Sequence, residues 1–119
     1  MKIETHTIGN IKAAEIITER IILSSVEDGL DLLGNLAHQG FDKIILHEKN
    51  IAPDFFDLKT GTAGNILQKF AQYQMSLAII GDFSKFESKR LDDFIFESNK
   101  GRQIRFAGSL SEALKLHNA

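Results

Sequence analysis

Phe41-Asp42-Lys43-Ile44-Ile45-Leu46-His47 and Met75-Ser76-Leu77-Ala78-Ile79-Ile80 are the two stretches that decide how this chain folds. Each holds an unbroken apolar run (Ile44 to Leu46, Leu77 to Ile80) bounded by polar residues. A strand wetted on one face alternates, whereas a strand covered on both faces does not need to. The two runs therefore read as neighbouring interior strands of a parallel sheet. Between them Ala63, Ile66, Leu67, Phe70 and Ala71 fall at i, i+3, i+4, i+7 and i+8, one apolar stripe of a helix. Strand, helix, strand is the unit of a parallel crossover.

Reading outward from this unit repeats it. After Ile80, Ser84 and Glu87 have capping-box spacing, and Leu91, Phe94 and Ile95 mark a helix that Gly101 ends. Arg102 to Ala107 alternates as an outer strand does, and Ser109 and Glu112 open a last helix carrying Leu110, Ala113, Leu114 and His117. On the other side, Ser24 and Glu27 open a helix with Val26, Leu30, Leu33 and Ala37 in its stripe, widened by Leu32 and Leu36 and closed by Gly40. Lys2 to Ile8 and Ile11 to Ile17 flank Gly9-Asn10, a dipeptide suited to a tight hairpin. The expectation is a single α/β domain over residues 1–119. Its five-stranded, mostly parallel mixed sheet starts with a β-hairpin and packs with about four helices. Lys2 to Ile8 is the antiparallel member, and Ile45, Leu67, Phe70, Ile79 and Phe94 belong to the core.

Composition narrows the class of partner. The formal net charge is −2, which gives no electrostatic reason to expect nucleic acid or an anionic membrane. Lys89-Arg90, Lys100, Arg102 and Arg105 read as a solvated basic face. Cysteine is absent, which removes disulfides and thiolate chemistry and fits a reducing compartment. No apolar run approaches the roughly 20 residues of a membrane span, and the N-terminus has no apolar signal core, so a cytoplasmic protein is expected.

Two groups of residues carry possible chemistry. Thr60-Gly61-Thr62-Ala63-Gly64-Asn65 opens the second helix at the end of a long polar connection from Asn50. Free N–H groups and the helix dipole favour an anion there, while the plainer reading makes Thr60 or Thr62 an N-cap. No Gly-Lys-Ser/Thr follows, so this is no nucleotide loop, and neither a cofactor nor a catalytic metal is expected. Within the connection, Phe55 and Phe56 are adjacent; in an extended chain one of them points outward and offers a partner an aromatic anchor, whereas a loop that folds back, the commoner arrangement, buries both. The second group is Glu48, Asp54, Asp57 and Asp82, with His47, near the C-terminal ends of strands. Open α/β sheets place ligands there, and converging carboxylates suit Mg²⁺ or acid–base work. His6, His38 and His117 read as structural.

The order of elements resembles the STAS domain, the fold of bacterial anti-sigma factor antagonists. Phe56-Asp57-Leu58-Lys59-Thr60-Gly61-Thr62-Ala63 stands where STAS proteins carry Asp-Ser-Ser/Thr-Gly-Leu-Gly. Ile104-Arg105-Phe106-Ala107-Gly108-Ser109-Leu110-Ser111-Glu112-Ala113-Leu114 resembles their closing strand and Ser-Leu-x-Glu-Ala-Leu helix. The resemblance implies a phosphoacceptor at Thr60, directly before Gly61; the Asp that accompanies it in STAS regulators is displaced to Asp57. Over nearly the whole chain the sequence also resembles a bacterial family, domain of unknown function 4180. Carrying that likeness are His47-Glu48-Lys49-Asn50, Pro53 to Gly61, Ile79-Ile80-Gly81-Asp82-Phe83-Ser84 and Glu97-Ser98-Asn99-Lys100-Gly101-Arg102.

These readings lead to a non-enzymatic regulatory or protein-binding module. Its partner surface spans Asn50 to Asn65, with Phe55, Asp57, Thr60, Gly61 and Thr62 as the site. The competing reading is a small ligand- or metal-binding domain, or an enzyme, using His47, Glu48, Asp54, Asp57 and Asp82.

Overall fold

The computed structural model describes residues 1–115. The hairpin expected at the start is present: β1 (Lys2–Ile8) and β2 (Ile11–Ile17) pair antiparallel with Ile8 opposite Ile11. Gly9, at φ 59°, supplies the positive φ of the two-residue turn. Next come α1 (Val26–His38), β3 (Lys43–His47), α2 (Thr62–Gln72), β4 (Ser76–Ile80), α3 (Lys89–Ser98), β5 (Ile104–Ala107) and the short α4 (Leu110–Ala113). Four 3-10 turns lie in the connections: Glu48–Asn50, Pro53–Phe56, Leu58–Thr60 and Phe83–Phe86. No described helix is long and apolar enough to cross a membrane. His117, expected on the last helix, lies outside the described residues.

The sheet order is β1-β2-β3-β4-β5, with every pair after the hairpin parallel. The two apolar runs are thus adjacent interior strands, as the sequence indicates. Each parallel step moves in the same direction along the sheet, and right-handed crossovers then put α1, α2 and α3 on one face. That face holds the larger core, where Ala14, Ile16, Ile44, Leu46, Leu77, Ile79 and Phe106 meet the apolar stripes of the helices. The other face is thinner. Ala13, Ile45, Ala78 and Ala107 pack under Ala113 of α4, with Leu110 and Leu114 at the margin. This layering positions everything that follows.

Ile45, Phe70 and Ile79 are fully buried as expected, but Leu67 and Phe94 are only half-buried. Phe94 touches Phe106 edge-on at 6.0 Å and leaves its other side to solvent, so it is an outer member of the core.

Two helix starts differ from the reading of the sequence. α1 is capped by Ser25, whose hydroxyl accepts from the Asp28 N–H at 3.1 Å, not by Ser24. Ser24 instead gives its N–H and hydroxyl to the Asp28 carboxylate, at 3.0 and 2.7 Å. α3 is capped by Ser88, which accepts from Leu91 N–H, because left-handed Glu87 (φ 46°) separates it from the 3-10 turn that Asp82 caps through Ser84. The last helix keeps the expected pair: Ser109 accepts from Glu112 N–H, and the Glu112 carboxylate from Gly108 N–H.

The α1 cap has a measurable consequence. Hydrogen bonds from Ser24, and then from Ser25, hold the Asp28 carboxyl below its ordinary value of 3.8. A depressed carboxyl contributes stability that is complete above the unfolded value and lost as pH falls through the folded one. In acid titration followed by helical circular dichroism, wild type should lose this contribution below about pH 4. Asp28→Asn, less stable near neutrality, should lack that part of the acid dependence.

Candidate functional site

The connection from Asn50 to Asn65 folds back on the sheet as consecutive 3-10 turns rather than running extended. Successive side chains in such a turn need not alternate, so both aromatic residues enter the core: Phe55 is 1% exposed and Phe56 4%. Phe55 is therefore a core residue and not an exposed anchor, a correction to the sequence reading. The Phe56 ring meets Phe55 edge-on at 5.2 Å and stacks on Phe86 at 4.8 Å.

Asn50, fully buried, pins the start of this connection. Its amide donates to the carbonyls of Thr18 (2.8 Å) and Arg20 (3.0 Å) and accepts from His47 N–H (3.1 Å). Its own carbonyl accepts from Ile22 and Leu23 N–H, so one residue ties the β2–α1 connection to the end of β3.

Thr60 is exposed, yet its hydroxyl is engaged. It lies 2.8 Å from the carbonyls of both Asp54 and Asp57, which share its one hydrogen, and it accepts from Thr62 N–H at 3.3 Å. Neither threonine is the helix cap. Gly61 is, in a left-handed conformation (φ 78°) that a side chain would strain. Asp57 is exposed and accepts from Lys59 N–H.

Beside this loop runs a groove of about 390 Å³ between the turns before α2 and the start of α3. Its apolar walls are Pro53, Phe56, Leu58 and Phe86, and exposed Lys59 and Arg90 supply positive charge, with Asp57 and Ser88 nearby. Arg90, read from sequence as part of a solvated face, lines this groove.

The acids at the strand ends do not converge. Glu48 pairs with Lys85 at 2.6 Å and packs against the backbone of Gly81, where only glycine fits: a Cβ would come within 2.7 Å of Glu48 Cβ. Asp82 caps Ser84, Asp57 caps Lys59, Asp54 faces solvent, and His47 turns to the thin face of the sheet.

On that face lies a cluster the sequence reading passed over. Glu15, in β2, is 5% exposed. His6 Nε2 lies 2.9 Å from its Oε1, and His47 Nε2 lies 2.9 Å from its Oε2. An ionised carboxylate only accepts, so each imidazole presents an N–H there. Burial raises the Glu15 carboxyl, but the hydrogen bonds and charges of His47 and His6 outweigh it and hold it below the usual 4.5. Lys43, also buried on this face, donates to the carbonyl of Ala113; burial, then the charge of Arg105, lower its pKa. The signal for Glu15 was available: a two-residue hairpin loop fixes the register, and that register sets Glu15 opposite Glu4 with His6 beside them.

A family model described as "Domain of unknown function (DUF4180)" matches residues 8–116. No curated protein and no solved structure matches the chain.

Proposed function

The chain belongs to this DUF4180 family, and we propose that it is a non-enzymatic, regulatory protein-binding module that takes a partner in the groove between the α2 loop and α3. The groove itself carries the reading. It pairs apolar walls (Phe56, Phe86, Leu58) with the cations Lys59 and Arg90, which suits a partner segment offering one apolar side chain flanked by carboxylates. Glu48, Asp57 and Asp82 are each engaged separately and Asp54 faces solvent, and this lack of convergence favours binding over acid–base chemistry at this end of the sheet.

Regulation would act through Thr60. A phosphate there removes the hydroxyl hydrogen shared by the Asp54 and Asp57 carbonyls and sets negative charge beside both acids. The turns it would loosen, Pro53–Phe56 and Leu58–Thr60, are one wall of the groove. Thr60→Glu would strain the same contacts, so it reports on loop integrity as well as on charge.

The test is capture by immobilised wild type and by the Lys59→Glu/Arg90→Glu double variant, at matched folded fraction. Both residues are exposed, so stability should change by only about 0.5 kcal/mol per site. The specific partner should be recovered at least tenfold less by the double variant, and its recovery by wild type should fall as salt is raised. The same proteins recovered equally by both would refute the groove as the partner surface.

A further inference from the structure

On the opposite face from that groove, we propose that Glu4, His6 and Glu15 bind a divalent transition-metal ion of the zinc class, with His47 as the residue that orients Glu15. Among the described residues, these three are the set of His, Asp and Glu side chains whose ligand atoms lie close enough to share an ion, all within 4.8 Å of one another. Zinc bonds of about 2.0–2.2 Å place tetrahedral ligand atoms about 3.4 Å apart. The 2.9 Å between His6 Nε2 and Glu15 Oε1 brackets that spacing from below. Small side-chain rotations of half-buried His6 and exposed Glu4 would close the set, leaving a fourth position for solvent.

Two further observations point to a cation. Glu4 and Glu15 stand directly opposite each other across the hairpin, a like-charged pair that is destabilising in an antiparallel ladder. Glu15 is also more than nine-tenths buried, where an ion pair rarely repays its desolvation. The Lys2 ammonium, 3.6 Å from Glu4, and the imidazoles of His6 and His47 on Glu15 offset part of both costs, and a divalent cation between the two carboxylates offsets more. One imidazole with two carboxylates favours zinc-class ions over calcium or magnesium, which take oxygen ligands. His47, bound to the second oxygen of Glu15, holds the carboxylate so that its first oxygen faces His6.

On metal binding, His6 must release the hydrogen on Nε2; in neutral imidazole it reappears on Nδ1, so the step is a tautomer change with no net proton lost. That change is the direct readout. Wild type stripped with a chelator should bind one equivalent of Zn²⁺ by calorimetry, and the His6 ¹⁵N signals should move from the Nε2–H form to a metal-bound Nε2. His6→Gln, at a half-buried site, and Glu4→Gln, at an exposed one, should keep the circular dichroism of wild type and weaken binding at least tenfold. His47→Gln should weaken it about tenfold while Co²⁺ shows an unchanged ligand spectrum. Absence of one-equivalent binding, unshifted His6 signals at saturating Zn²⁺, or equal affinity in His6→Gln and Glu4→Gln would each overturn the site.

Discussion

Phe55→Ala should destabilise the fold by about 3–5 kcal/mol in denaturant titration, the loss usual for a core aromatic. The ring is 1% exposed, and it is among the largest fully buried side chains. It sits edge-on to Phe56 within the core that α2 and the sheet share. Removing it deletes the transfer energy of the ring and leaves a hole in a loop that cannot collapse freely, since Thr60 ties that loop to its own carbonyls. A loss below about 1 kcal/mol would show that the ring does not lie in the core. The same argument makes Phe55→Ala a poor probe of binding: partner capture would fall with the folded fraction. Phe55→Leu keeps most of the volume and separates the two effects.

Asn50→Ala should cost about 3 kcal/mol, an unusual loss for a polar residue in a connection. Alanine leaves the His47 N–H and the carbonyls of Thr18 and Arg20 without their partner. Each such group costs about 1–3 kcal/mol when buried, less where water reaches it. Asn50→Asp is the informative companion. It retains an acceptor for His47 N–H but turns two donors into an anion facing two carbonyls, so it should be at least as damaging as alanine. Thermal melts of the two variants beside wild type check both expectations; near-wild-type stability of Asn50→Asp would show that the amide is not the clip.

Strands and helices were legible because each obeys one periodicity. Ile44 to Leu46 and Leu77 to Ile80 could only be interior, and the hairpin followed from Gly9-Asn10. Caps were harder. Ser24 and Ser25 offer the same hydroxyl one residue apart, and only the backbone shows which of them accepts from the first turn. The Asn50 to Asn65 connection was legible as important but not as a shape. Three short 3-10 turns have too few residues to show a period, so Phe55 could be placed on neither side. Glu15 needed a step from pattern to register. It looks like one polar residue in an apolar strand until the hairpin pairing sets it beside Glu4 and His6.

The strand order also bears on how the chain assembles as it is made. Because spatial order follows sequence order, each strand meets an edge that has already left the ribosome, and none has to insert between two that are paired. The hairpin comes first, through local contacts alone, and offers β3 a template. Each later strand–helix unit then adds to the growing edge, and the loop it must close is only one crossover long. β5 is the last edge to be laid down, and α4 follows it onto the thin face, where Lys43 waits from mid-chain for the carbonyl of Ala113. Synthesis from the N-terminus can therefore extend the sheet at one edge only, while β1 remains the other edge throughout.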